Sequence, residues 1–376
     1  MSKLIHTIKN HLVNISGWRT NRKIVVIESD DWGAIRTTIK ENYNSFKSHF
    51  GNFDNPYLKY DTLASKEDLS ALFDVLKAYK DQKGNHTVIT FNTVVANPDF
   101  ENIEASNFQK YYYEPFTETL KRYYPKENIF NLWEQGMKEG LIYPQFHGRE
   151  HVNVPVWLEQ LQSGNKELLK AFEFGTWSTP EGKYPPANIK LQAALDYKGE
   201  QPLHYQKEFI EDGLDLFEKI FGFRSQTMIA NNFVLTSNLH PYIKQSGVTM
   251  LQGMKYQVQP YGLELKKRYI RRYFGQSDKE GLIFNIRNCV FEPSQTKKNY
   301  DDVGNCLKEI SNAFFWKKPA VITSHRLNFI GSIDENNRTK NLELLNLLLA
   351  QIIKRWPDVE FISSDKLLGT EYNFSK

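Results

Sequence analysis

The stretch KIVVIESDDWG, residues 23–33, runs apolar through Ile27 and then sets Glu28, Asp30 and Asp31 almost side by side. Like charges at that spacing repel, and in a low-dielectric setting they stay ionised only when a cation or an arginine offsets them. A second stretch, HGREH at 147–151, spaces two imidazoles four residues apart, which suits metal binding and equally suits a pair of structural histidines. Arg224 in GFRSQ and His325 in ITSHRLNF complete the set of polar groups beside apolar runs. Two histidines and a carboxylate make an open metal set with room left for water. A second carboxylate can deprotonate that water, an arginine can hold this base ionised, and a separate histidine can protonate a leaving group. That inventory is a hydrolase.

Taken alone, each group has a structural explanation. An Asp-Asp pair after a strand serves as a helix N-cap and first-turn carboxylate. His325 by itself reads as a buried, hydrogen-bonded histidine, and Arg224 as a surface ion-pair partner. HGREH also matches the H-x-x-E-H pattern in which Glu150 would be a protease base. That chemistry needs a long helix, however, and Pro144, Gly148 and Pro155 crowd this segment.

Placement along the chain brings the groups together. The spacing predicts strands at KIVVIE (23–28), HTVITF (86–91), LIYPQF (141–146), IFGFR (220–224), GVTMLQ (247–252), LIFNIRNCV (282–290), AVITS (320–324) and VEFIS (359–363). Several lack strict alternation, as strands buried on both faces do. Helical patterns lie between them: a capping box at Ser65 and Asp68 opens one, EFIEDGLDLFEKI precedes the fourth run, and LELLNLLLAQIIKRW stops at Pro357. Alternating strands and helices imply right-handed crossovers and a largely parallel sheet, most economically closed into a barrel, with an open doubly wound sheet as the alternative. On this map Asp30–Asp31, His147–His151, Arg224 and His325 all follow the carboxyl ends of strands, the edge where α/β folds gather ligands and catalytic groups.

The order Asp-Asp-x-Gly after strand one, H-x-x-x-H after strand three, an Arg after a Phe, and a late strand ending in Ser-His resembles the polysaccharide deacetylase (NodB-homology) superfamily. The resemblance covers roughly residues 23–368 and implies a distorted (β/α)7 barrel that removes acetyl groups from amide or ester positions of saccharides with a divalent metal, zinc being the expected ion. It also implies Asp30 as general base, Asp31, His147 and His151 as metal ligands, Arg224 as the partner of the base and His325 as the acid. The chain departs from the family pattern in three places. ESDDWG stands for Thr-Phe-Asp-Asp-Gly, SQT follows Arg224 instead of Pro-Tyr-Gly, and the Asp-Trp motif that tunes the acid is represented only by the weak candidates Asp278 and Glu292. A carbohydrate-binding barrel that has lost catalysis and a hydrolase of non-sugar amides are the rival functions.

At 376 residues, with 40% hydrophobic, 24% charged and 14% aromatic residues, the chain is expected to form one large domain over 23–376 with an inserted loop around 155–205. Residues 1–22, with Leu4, Ile8, Leu12 and Ile15 at helical spacing, are expected to pack on that core as a short amphipathic helix. A net charge of +4 argues for no nucleic-acid partner, and the expected partner is an acetylated saccharide or glycan precursor. Cys289 and Cys306 are expected to be free thiols. With no signal-type apolar run and no span-length segment, a cytoplasmic location is the default. One basic stretch, LKKRYIRRYFG at 265–275, interleaves Lys266, Lys267, Arg268, Arg271 and Arg272 with aromatics, as a solvated hairpin face or as a site for phosphate-bearing glycan precursors.

Overall fold

The computed structural model describes residues 11–51, 53–297 and 299–368. The Leu4 and Ile8 positions of the expected N-terminal helix lie outside them. Within the described part, 11–14 are helical, with Leu12 and Ile15 exposed.

A mostly parallel sheet with helices between its strands makes this an α/β fold. Its strands are β1 (Lys23–Trp32), β2 (Ile89–Thr93), β3 (Ile142–Phe146), β4 (Thr227–Met228), β5 (Met250–Gly253), β6 (Gln276–Ser277), β7 (Ile283–Ile286), β8 (Cys289–Val290), β9 (Ala320–His325) and β10 (Val359–Phe361). They pair in the order β6-β7-β5-β4-β3-β2-β1-β9-β8, with β10 alongside the start of β1. Among the described residues of this sheet, only β6 and β7 pair antiparallel. The apolar run of β1 is buried on both sides as its lack of alternation requires: Val25 and Ile27 enter one core cluster, Ile24 and Val26 the other.

β7 and β8 lie on one continuous stretch, residues 283–290, which pairs with β5 on one side and with β9 on the other. Arg287 N donates to Gly253 O of β5 at 2.9 Å and Asn288 N to Val321 O of β9 at 3.1 Å, so consecutive residues bond to two strands that lie far apart in the pairing order. Cys289 and Cys306 are free and buried.

Most expected elements are present. Ser65 and Asp68 form both halves of the capping box on the helix Lys66–Lys77, whose Leu69, Leu72, Phe73 and Leu76 are buried. The long helices Leu203–Phe221 and Glu335–Arg355 fall where the pattern places them. The run IFGFR is the exception. Ile220 and Phe221 end a helix, Gly222 caps it in the left-handed region at φ 77°, and the strand begins only at Thr227. The segment around 155–205, expected as an inserted loop, contains most of the helix Val154–Gln162 and the helix Lys166–Glu173, packed through Trp157, Leu161, Leu168 and Phe172.

Candidate active site

The carboxyl ends of β1, β3 and β9 deliver the charged groups. Asp30 is in register with His325 on the adjacent strand, and between Ser29 and Trp32 the pairing of β1 with β2 slips by a bulge. Asp31 takes the positive φ of 72° that the bulge demands. Gly33 follows at φ 81°, where a Cβ would lie 2.2 Å from Val94 O. Trp32, the residue that departs from the family pattern, anchors this turn: its ring stacks on Phe91 and its Nε1 donates to Ser29 Oγ at 2.9 Å. It belongs to the core, and the two aspartates are turned away from it into a cleft.

The opening run of carboxylates is offset by Arg287. This guanidinium, fully buried, donates to Asp30 Oδ1 and Oδ2 at 2.6 and 2.7 Å and through Nε to Glu28 Oε2 at 2.6 Å. Glu28 Oε1 accepts from Asn285 and Ser364. Burial would raise the Asp30 carboxyl, but the charge and hydrogen bonds of Arg287, with smaller help from His147 and His325, together hold the group below the ordinary carboxylate range. For Glu28 burial wins and the carboxyl stays raised. Asn92 also donates to Asp30 Oδ1, at 2.8 Å.

Asp31, His147 and His151 bring one ligand atom each within 4.8 Å of one another, all three buried. His147 Nδ1 faces the Ile229 carbonyl at 3.0 Å, an acceptor, so Nδ1 carries a ring proton and, in the neutral tautomer, Nε2 presents a bare lone pair. That lone pair points at Asp31 Oδ1, 3.2 Å away and also an acceptor. Two acceptors facing each other in a buried site call for a cation between them, and a His₂Asp set is what a divalent transition metal takes. His151 is less ready. Arg36 Nη1 stands 3.0 Å from its Nδ1, and a guanidinium only donates, so the ring proton sits on Nε2, 3.0 Å from Asp31 Oδ1. Ligation through this Nε2 requires its proton to leave and Arg36 to release Nδ1. Burial and the Arg36 charge lower the His151 pKa to about 4, so the ring is neutral, as a ligand must be. Burial pushes the Asp31 carboxyl up, yet Arg36 and the imidazoles hold it well below the usual range.

His325 lies across from this set, with Nε2 3.8 Å from Asp30 Oδ2. Its Nδ1 meets Glu292 Oε1 at 2.5 Å, and Glu292 Oε2 is fixed by Asn328 and Gln295 at 2.8 and 2.9 Å. Burial would lower this imidazole, but Glu292 and then Asp30 reverse the effect and raise its pKa to about 9. These groups line a cleft of about 340 Å³, walled by Tyr57 and Phe233 and bordered by Lys190 and Gln192 of the insertion. That volume takes a sugar-sized ligand.

Five of the six expected residues converge: Asp30, Asp31, His147, His151 and His325. Arg224 does not. Because the strand starts at Thr227, Arg224 sits before its amino end, on the opposite edge of the sheet, where it ion-pairs with Asp215 and Glu218 and donates to Ser246 O. Arg287 pairs with Asp30 instead. Its signal was present in the sequence, since an arginine inside a run that reads as a strand buried on both faces has to be paired. The carboxylate on His325 is Glu292, whereas Asp278 binds His240 Nδ1 at 2.6 Å. Glu150 is no protease base: HGREH is not helical, and Glu150 is buried against Arg149 and Tyr205.

The chain is structurally similar to solved polysaccharide deacetylases. A Mycobacterium smegmatis protein assigned to that group superposes with a TM-score of 0.45 at 9% identity, over 94% of this chain and 91% of its own. The peptidoglycan deacetylase PdaC of Bacillus subtilis does so at 0.35 and 11%, over 92% and 90%. The allantoinase PuuE, which is not a deacetylase by name, matches at 0.44 and 8%, over 93% and 90%. No protein-family model and no curated protein matches the sequence. At these identities the likeness is one of fold, and chemistry has to be argued from the side chains.

Proposed function

We propose that the protein is a metal-dependent hydrolase that removes an N- or O-linked acetyl group from a sugar of a glycan or glycan precursor. The observation that carries this is the bare His147 Nε2 facing Asp31 Oδ1, with an ionised carboxylate and a protonated imidazole on the cleft wall beside them. A divalent ion held by Asp31, His147 and His151, zinc by its ligand types, would supply a Lewis acid for the acetyl carbonyl and acidify a water to a pKa of about 7. Asp30, kept charged and oriented by both Arg287 amino groups, would accept the proton of the attacking water. His325, kept protonated by Glu292, would deliver its Nε2 proton to the departing amine or alkoxide. Tyr57 and Phe233 would shield the acetyl group from bulk water. Arg287 touches neither substrate nor ion and is a positioning residue.

We also read residues 283–290 as the closing strand of a distorted seven-stranded barrel, because they pair with β5 on one side and with β9 on the other. Residues 23–376 would then form a single domain, with the N-terminal segment packed against it.

Metal content and acetate release from a panel of N- and O-acetylated saccharides test the proposal. Asp30→Asn should retain metal and lose about a thousandfold in turnover, whereas His147→Ala should lose both. A normal rate in Asp30→Asn would overturn the assignment. Stoichiometric metal without acetate from any saccharide would remove the sugar as substrate, and absence of metal would leave a binding protein.

A further inference from the structure

The basic stretch at 265–275 divides into a structural part and an unused part. Lys267 ion-pairs with the buried Asp196 at 2.7 Å, and Arg272 is buried over the Phe284 ring and donates to Gln257. The rest belongs to a hairpin of Tyr256–Val258 against Tyr269–Arg271, in which Tyr256 faces Arg271 and Val258 faces Tyr269. That pairing puts Tyr256, Tyr269 and Arg271 on one outward face, while Gln257 on the other face is buried and donates to Leu235 O.

The hairpin tip is unusual for a solvated loop. Leu263 is 76% and Leu265 57% exposed, Tyr269 63% and Tyr256 48%, with Lys266, Arg268 and Arg271 exposed among them. Glu264 is the acidic residue of the tip, 3.6 Å from Arg268. Leu265 also holds a positive φ of 53°, a conformation costly for a bulky side chain, so the chain is strained to keep an aliphatic group outside. Strain that exposes apolar surface does nothing for stability.

We propose that this hairpin docks the protein on an anionic lipid surface. The leucines would enter the boundary between headgroups and acyl chains, the tyrosines would sit at headgroup level, and Lys266, Arg268 and Arg271 would meet the lipid phosphates. A soluble polyanion matches the cations but leaves the leucines without a role. The hairpin is braced by two segments that also border the cleft: residues 234–235 bond its strand at Val258, and Gly199 and Gly262 share a hydrogen bond. Farther along those same segments, Asn232, Phe233, Lys190 and Gln192 line the cleft. Hairpin and cleft are thus linked through shared segments. This surface stands whether or not the cleft is a deacetylase.

Co-sedimentation of the full chain with vesicles tests it, comparing phosphatidylcholine alone with phosphatidylcholine and phosphatidylglycerol in about a two-to-one ratio. The expected result is binding to the anionic vesicles only, weakening as salt rises. Leu263→Ser with Leu265→Ser, and separately Lys266→Glu with Arg268→Glu, should each lower the partition coefficient at least ~10-fold while leaving the melting temperature and circular dichroism unchanged. No binding to anionic vesicles, or binding that neither double variant weakens, overturns the proposal. Loss on charge reversal but not on leucine replacement, with displacement by dextran sulfate, also overturns it and makes a soluble polyanion the ligand.

Discussion

At the scale of single residues, the site is a set of charges each held in the state its role needs by one neighbour. His325 is the clearest case. Its pKa is moved from 6.5 to about 9, so the stability this pairing contributes is complete below the lower value and lost as pH rises through the upper one. Glu292→Gln removes the largest upward push and leaves the weaker pull of Asp30 and Asp31 against burial, which acts downward. The alkaline limb of the pH–rate profile should therefore move from near 9 toward neutrality, and the pH-dependent fall in melting temperature should shrink. A profile unmoved by Glu292→Gln would show that His325 is not the acid. At this scale the sequence was legible where residue type and strand position agreed, as at Asp30, Asp31, His147, His151 and His325. It misled at Arg224, because an arginine after a phenylalanine looks alike on either edge of a sheet. It was silent on Arg36, which sits outside any strand and reaches His151 only through the folded turn after Gly33.

At the scale of elements, two irregular backbone turns aim the groups. One is the bulge at Asp31; the other is HGREH, where Gly148 holds φ 108° and a Cβ would come within 2.8 Å of Phe209 and 3.0 Å of Asn231. Gly148→Ala should cost about 1–3 kcal/mol in an unfolding titration, and it should weaken metal binding in a calorimetric titration because the shift propagates to His147 and His151. Unchanged metal affinity would mean that the loop is not what positions the imidazoles. Elements with strong periodicity, such as Lys66–Lys77 and Leu203–Phe221, were plain in the sequence. The two-residue strand Thr227–Met228 was not, since a run that short carries no period and the apolar IFGF before it belongs to a helix end and its glycine cap. The helices of the insertion were hidden by the prolines and glycines that surround them.

At the scale of the whole molecule, a metal held between the carboxyl ends of β1 and β3 would couple its loading to the stability of the sheet that carries them. A ligand at a hundred times its dissociation constant stabilises the folded state by about 2.7 kcal/mol. Added zinc should raise the melting temperature accordingly, a chelator should reverse the rise, and His147→Ala should abolish it; a shift that survives His147→Ala would place the ion elsewhere. No described helix is long and apolar enough to cross a membrane.

Residues 283–290 carry Arg287, and Glu292 lies two residues beyond Val290. The counter-ion of the proposed base and the partner of the proposed acid thus ride on a single length of backbone. A one-residue slip of that strand would swing Arg287 to the opposite side of the sheet and drag Glu292 off its histidine in the same movement. Both proton-handling groups would be disarmed by one mechanical fault, so any ligand or lesion that loosens this strand should extinguish turnover abruptly, with no half-active form in between.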